Sequence, residues 1–233
     1  MISLLIPTRE RQGRLMRLLE NIQKTCESRY LDFEILYWID NDDKKTDVRE
    51  LVRGFPEFKQ SFFYRDRPKY MTDTYNELVK YASGNIIFYG ADDIEFMGKG
   101  WISDVIEMFS RYPDEILLYF YSDREEPPLH GFISKKCCNI MGGLCPEKFE
   151  HGYIDYWLKE VFQSICRSAR TMNNYIGHHH FHSDIALLDY TYRYRSMRRD
   201  KLNRTCDNRD RDTFDRETAF RKEIAAKLGA EKC

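Results

Sequence analysis

Three short stretches carry residue types and spacings that could do chemistry. In "NIIFYGADDIEF" an apolar run breaks at Gly90 and leads into two adjacent carboxylates, Asp92 and Asp93. Like charges side by side at a strand exit repel, so they must be solvated, cap the following loop, or share a cation. A hard divalent ion ligated by such carboxylates together with diphosphate oxygens would be their chemical use. In "HHHFH", His178 and His180 lie two apart, as do His180 and His182, so an extended backbone points each pair the same way. Neutral imidazole suits manganese or zinc; the plainer alternative is a polar loop with one buried histidine. In "EHGYIDYWLKE", Asp155 falls at the start of a helix, where the dipole favours a carboxylate and where a cleft-facing one could act as general base.

The elements that must position these residues follow from periodicity. Short runs rich in Ile, Leu, Phe and Tyr predict strands at 2–7, 33–39, 61–65, 85–90 and 115–121. Between them, residues 11–26 place Leu15, Leu18, Leu19 and Ile22 on one helical face. Residues 72–84 form a helix with a Thr/Asp cap and a closing Gly84, and residues 100–113 turn Trp101, Ile102, Val105, Ile106 and Phe109 inward. Strands alternating with helices call for an α/β fold with a mostly parallel sheet covered on both faces. Ligands of such sheets sit outside the carboxyl ends of the strands, and "PTRER", "DNDDKKTD" and "ADD" all fall at those ends. Beyond residue 121 come a Pro-containing loop, a helix around "YIDYWLKEVFQSI", the histidine segment and a charged terminal helix over 210–229.

Composition bounds the classes available. A chain of 233 residues with formal net charge -1 can bury a full core and has no global attraction to nucleic acid or anionic membrane. Residues 190–233 nevertheless carry thirteen Lys/Arg against eight Asp/Glu, so basic surface is local to that tail. Seven scattered cysteines, an odd number, read as reduced thiols. The first residues have no signal-peptide pattern and no run reaches membrane-spanning length, so the expectation is a soluble, cytoplasmic protein.

The blocks "SLLIPTRERQGRLMRLLENI", "FEILYWIDNDDKKTD", "TYNELVKYASGNIIFYGADDIEFMGKGW" and "MGGLCPEKFEHGYIDYWL" resemble, in order and spacing, those of GT-A-type, family 2-like glycosyltransferases. The resemblance covers about residues 1 to 192 and implies a GT-A, Rossmann-like domain there. Its nucleotide-binding half would be 1–121 and its acceptor half 122–192, with a basic helical extension over 193–233. It implies that Thr8, Arg9 and Ala91 lie beside the nucleotide, that Asp40 contacts base or ribose with Asp42 as neighbour, and that Asn76 belongs to the helix before the metal motif. Asp92 matches the last carboxylate of the DxD motif, with Asp93 beside it, and binds manganese or magnesium on the sugar-nucleotide diphosphate. Asp155 matches the base of an "ED" pair. His178 and His180 resemble the H-x-H of related, often phage-encoded, members, and His180 is the favoured ligand. Two positions depart from the pattern: Gly90 replaces the first DxD carboxylate, and Ile154 replaces the glutamate of "ED".

The chemistry so implied is inverting transfer from a nucleotide-sugar, a UDP-sugar in this reading, to an acceptor hydroxyl. A cation stabilises the leaving diphosphate, one carboxylate deprotonates the acceptor, and a single displacement inverts the anomeric centre. The phage-type resemblance brings a modified nucleobase or DNA into view as acceptor, with a glycan or small molecule as alternatives. In the tail, Tyr190, Tyr192 and Tyr194 alternate with Arg193 and Arg195 before Arg198, Arg199, Lys201 and Arg204. That pattern could stack on bases and pair with phosphates, or could be a solvated face packing its tyrosines on the sheet. A nucleotidyltransferase with the same carboxylate site, or an inactive nucleotide-binding module, are the competing readings.

Overall fold

Strands β1 (Ile2–Thr8) and β2 (Phe33–Asp40) are almost wholly buried along their length, as expected of strands covered on both faces. Their side chains alternate between two cores: Ile2, Leu4, Ile6, Ile35, Tyr37 and Ile39 enter one, Leu5, Leu36 and Trp38 the other. This computed structural model describes residues 1–26, 32–120, 130–171, 176–178 and 206–229.

The remaining elements are α1 (Gln12–Thr25), α2 (Val48–Gly54), β3 (Gln60–Arg65), α3 (Met71–Tyr81), β4 (Ile86–Tyr89), β5 (Ile94–Phe96), α4 (Trp101–Ser110) and β6 (Leu118–Phe120). They continue with β7 (Gly131–Ser134), α5 (Lys135–Met141), α6 (Ile154–Gln163), β8 (Ser168–Arg170), β9 (Ile176–His178), α7 (Cys206–Arg216) and α8 (Thr218–Leu228). A seven-stranded sheet runs in the order β3-β2-β1-β4-β7-β6-β8. β7 is antiparallel to both β4 and β6, while the pairs among β1 to β4 and the β6–β8 pair are parallel. The expected mostly parallel α/β architecture is therefore what forms.

One face carries α1 and α4, through Leu15, Leu18, Leu19, Ile22, Trp101 and Val105. The opposite face carries α3, α5, α6 and α8, through Leu78, Cys137, Trp157 and Leu228 among others. A separate two-stranded sheet pairs β5 with β9 antiparallel, setting Ile94 opposite His178.

Several local expectations are corrected. Ile106 is 40% exposed, because α4 buries only the face carrying Trp101, Ile102, Val105 and Phe109. α3 begins at Met71 after an extended Tyr70 and has no side-chain cap; it ends before an extended Ala82, so Gly84 does not close it. Gly84 is needed for close approach instead, since a Cβ there would lie 2.7 Å from the Met1 carbonyl oxygen and 2.7 Å from Ser3 Oγ. The terminal helix is two helices, broken at Glu217, and α8 sends Ile224, Ala225 and Leu228 into the core beside α5 and α6. Cys26, Cys137, Cys138 and Cys145 are free thiols, whereas Cys166 is disulfide-bonded, a pairing that an odd, scattered set of cysteines could not reveal. Among the described residues no helix is long and apolar enough to cross a membrane.

Candidate functional site

The exits of β1 and β4 meet because those strands are neighbours, with Leu5 opposite Tyr89. Thr8 Oγ1, at the end of β1, donates to Asp92 Oδ2 at 2.7 Å. Arg11 Nη1 donates to Asp92 Oδ1 at 2.7 Å, and Arg14 Nη1 to Asp93 Oδ2 at 3.1 Å. Both carboxylates are essentially sealed, Asp92 at 1% and Asp93 at 2% exposure. Burial pushes the Asp92 carboxyl above its usual range; Arg11 and Thr8 oppose that, and Asp93 adds to it. Arg11 is the N-cap of α1 and Arg14 lies in its first turn, where the helix dipole disfavours cations. The buried aspartate pair offsets that penalty, so arginines and aspartates neutralise each other across about eighty residues of chain.

The second exit is built around Arg9. Its Nη1 donates to Asp40 Oδ2 at 2.8 Å and its Nη2 to Asp42 Oδ2 at 2.7 Å. Trp38 Nε1 donates to Asp40 Oδ1 at 3.2 Å, and Arg67 Nε stands 3.9 Å from Asp40 Oδ2. The Arg9 bond holds the Asp42 carboxyl below its ordinary range, and the aspartates push the guanidinium pKa up. Thr8, Arg9, Asp40 and Asp42 thus stand together at the carboxyl ends of β1 and β2, with Asp92 and Asp93 adjoining.

Gly90 has a steric explanation. A Cβ at that position would lie 2.4 Å from Phe88 Cε1 and 2.9 Å from Ile6 Cδ1. The backbone is fixed on both sides, because Gly90 N–H donates to the Leu5 carbonyl at 3.1 Å and Tyr75 Oη donates to the Gly90 carbonyl at 2.7 Å. No side chain fits here without displacing the Phe88 ring.

Tyr75 also locates the third carboxylate. Its hydroxyl pKa is driven up first by burial and then by the charges of Asp93, Asp92 and Asp155. The neighbouring Tyr89 is raised by burial, then by Asp155 and Tyr75. Asp155 sits in the first turn of α6, two residues after Tyr153 at φ 66°, and is 9% exposed. The charges of all three aspartates thus bear on one buried phenol.

Asn76, in α3, engages the protein backbone with both ends of its side-chain amide. Its Nδ2 donates to the Cys145 carbonyl at 2.8 Å and its Oδ1 accepts from Cys145 N–H at 3.1 Å, tying α3 to the segment before α6. Ala91 is partly buried against the core beneath α1 and α4. The backbone of His178 reaches the site through the β5–β9 pairing, one residue beyond Asp93 in register. His179 to His182, including His180, and the tail from Tyr190 to Arg204 lie outside the described residues. Among the described residues no group of three His, Cys, Asp or Glu is arranged to hold a metal ion. Arg11, Arg14 and Tyr75 are site residues that sequence reasoning passed over. The signal for the arginines was there: two cations at a helix start break the dipole preference, and such violations concentrate at functional sites.

Known proteins with this arrangement are distant. No curated protein sequence matches the chain. The Pyrobaculum calidifontis mannosyltransferase PcManGT, solved in complex with GDP-Man and Mn2+, superposes with a TM-score of 0.62 at 11% identity, over 97% of this chain and 73% of that one. S. aureus TarS 1-349 gives 0.60 at 13% identity, over 75% of this chain, and its complex with UDP gives 0.55 at 14%. The present chain spans 59% of that TarS chain. At such identities these likenesses establish the shared GT-A fold. The model of the family described as "Glycosyl transferase family 2" matches residues 3–228, nearly the whole sequence and all of the elements that build the site. The chain belongs to glycosyl transferase family 2.

Proposed function

We propose that the chain is a metal-dependent, inverting glycosyltransferase that moves a sugar from a nucleotide-sugar, a UDP-sugar in our reading, to an acceptor hydroxyl. The observation that carries this is the buried Asp92–Asp93 pair at the carboxyl ends of β1 and β4, with Asp92 fixed by Thr8 and Arg11, adjoining the Arg9–Asp40–Asp42 cluster. Complexes of structural neighbours with GDP-Man and Mn2+, and with UDP, support a nucleotide-sugar donor and a divalent ion.

The donor set fits a hard cation in its chemistry: two carboxylates at a strand exit, with the backbone of His178 brought alongside. Asp92 and Asp93 would hold the ion, His178 and His180 are the further candidates, and magnesium could serve as manganese does. Such an ion supplies Lewis-acid stabilisation of the departing diphosphate. Thr8 fixes the orientation of the Asp92 carboxylate through its 2.7 Å bond. Arg9 presents Asp40 and Asp42 in one rigid cluster for the base and ribose. Asp155 takes the proton of the acceptor oxygen as that oxygen attacks the anomeric carbon, a contribution of about 100- to 10,000-fold for general base catalysis. The acceptor class we take forward is a hydroxyl on a modified nucleobase or DNA, on the strength of the sequence from Tyr190 to Arg204.

Calorimetry with manganese and a panel of nucleoside diphosphates tests the donor side. Binding should require the ion and disappear in Asp92→Ala, and metal-independent or absent binding sinks the reading. Asp155→Asn should abolish turnover of a nucleotide-sugar while leaving that binding intact. DNA binding that is absent at low salt removes the acceptor assignment alone.

A further inference from the structure

The turn that delivers Asp155 to the site is shaped by a residue fifty-five positions further along the chain. Asp210, in α7, is 1% exposed and accepts three backbone hydrogen bonds from consecutive residues: Glu150 N–H at 2.7 Å on Oδ1, and His151 N–H and Gly152 N–H, each at 2.9 Å, on Oδ2. Successive amides folded round one anion form a nest, which here holds a carboxylate from the protein itself. The same helix grips the turn twice more. Arg209 Nε donates to Glu150 Oε1 at 2.8 Å and its Nη2 to Glu150 Oε2 at 2.5 Å. The Phe214 ring packs on Tyr153 with centroids 5.4 Å apart. Tyr153 is the N-cap of α6 and holds a left-handed backbone, φ 66° and ψ 0°, which is strained for a non-glycine residue and persists only where surroundings impose it. On its other side the turn is tied to α3, through Met71 N–H on the Glu150 carbonyl at 3.3 Å.

We infer that Asp210 is a positioning residue for acceptor activation: by filling the 150–152 amide nest it fixes the turn and the left-handed Tyr153, and so the direction in which Asp155 leaves α6. The inference rests on the proposed role of Asp155 as base. An uncharged, shorter residue would leave three partly buried N–H groups without their acceptor and let the turn relax, moving the base while leaving the donor half, built on β1, β2 and β4, as it is.

The test compares Asp210→Ala with wild type in two measurements. UDP affinity in the presence of manganese should stay within about twofold, because Thr8, Asp40, Asp92 and Asp93 are held by hydrogen bonds with one another and with Arg9, Arg11 and Arg14. The rate of sugar release from a hydrolysed nucleotide-sugar, chosen by screening UDP- and GDP-sugars, should fall at least about tenfold, the order of loss expected when a general base is misplaced. Formate, small enough to occupy the nest, should restore part of that rate in Asp210→Ala and do nothing for wild type. Should Asp210→Ala not fold, Asp210→Asn, which keeps one acceptor oxygen, carries the same comparison. Unchanged turnover in a folded variant overturns the proposal, and so does a loss of UDP affinity in step with turnover. Asp155→Asn turning over at the wild-type rate removes the base reading and this inference with it, whereas an inactive Asp155→Asn beside a fully active Asp210→Ala sinks the inference alone.

Discussion

Placing a carboxylate at Gly90 should damage this protein, and Gly90→Ala isolates why. The new Cβ would stand 2.4 Å from Phe88 Cε1 and 2.9 Å from Ile6 Cδ1, against a comfortable carbon separation of about 3.5 to 4.0 Å. Relief requires the Phe88 ring to move by about 1 Å. That ring is fully buried and packs on Phe132 and Phe96 with centroids at 4.7 and 5.6 Å, so it has nowhere to go. The backbone cannot yield either, being held by Leu5 and Tyr75. Overpacking of this kind costs about 1 to 3 kcal/mol, while replacing a glycine returns about 0.4 to 1 kcal/mol through the unfolded chain. The expected net loss for Gly90→Ala is about 1 to 2 kcal/mol, or about 2 to 8 °C in Tm for a domain of this size. Gly90→Asp adds a further carboxylate next to two buried ones and should lose about 1 to 3 kcal/mol more. Urea unfolding followed by the fluorescence of the buried Trp38, Trp101 and Trp157 measures both. A Gly90→Ala protein within about 0.5 kcal/mol of wild type would refute the steric argument, and Gly90 would then need another explanation.

Two further outcomes concern charge. Arg11→Met removes the partner of a carboxylate that is 1% exposed, and stripping one member of a buried pair typically costs about 3 to 5 kcal/mol. In EDTA the variant should melt well below wild type, and added manganese should recover part of the loss by neutralising Asp92; an unchanged Tm in EDTA would show that Arg11 does not hold this charge. Glu147 is 5% exposed, accepts from Trp157 Nε1 at 2.6 Å, and has Arg221 Nη1 at 3.9 Å. Burial raises its carboxyl to about 7, against the pull of Trp157 and Arg221. The folded state thus binds this proton more tightly than the unfolded chain, so stability is greatest below the unfolded value and falls as pH rises through about 7. Glu147→Gln should therefore stabilise the protein at pH 8, by up to about 3 kcal/mol on the linkage argument, and little at pH 5. Denaturant midpoints for both proteins across that range decide it, and equal shifts at both pH values would refute the burial argument.

The α/β class was legible in the order of residues, because alternating apolar strands and one-sided helices admit few arrangements other than a parallel sheet covered on both faces. The same order placed the acidic clusters at strand exits, since a chain leaving a buried strand meets water there. Strand β7, which runs against its neighbours, was not legible: a four-residue apolar strand carries no mark of direction. Nor was the break at Glu217, where charged residues on both sides suit one helix as well as two.

What the acidic residues face is set by which distant elements pack together. Asp92 meets Thr8 and Arg11 because β1 and β4 are adjacent, and Asp210 meets the 150–152 amides because α7 lies over that turn. Such pairings join residues roughly sixty to eighty positions apart, where local periodicity has no reach. Gly90 shows the same division. The sequence marked the position as a departure from the family pattern, and the reason for it, the Phe88 ring where a Cβ would go, is a property of packing alone.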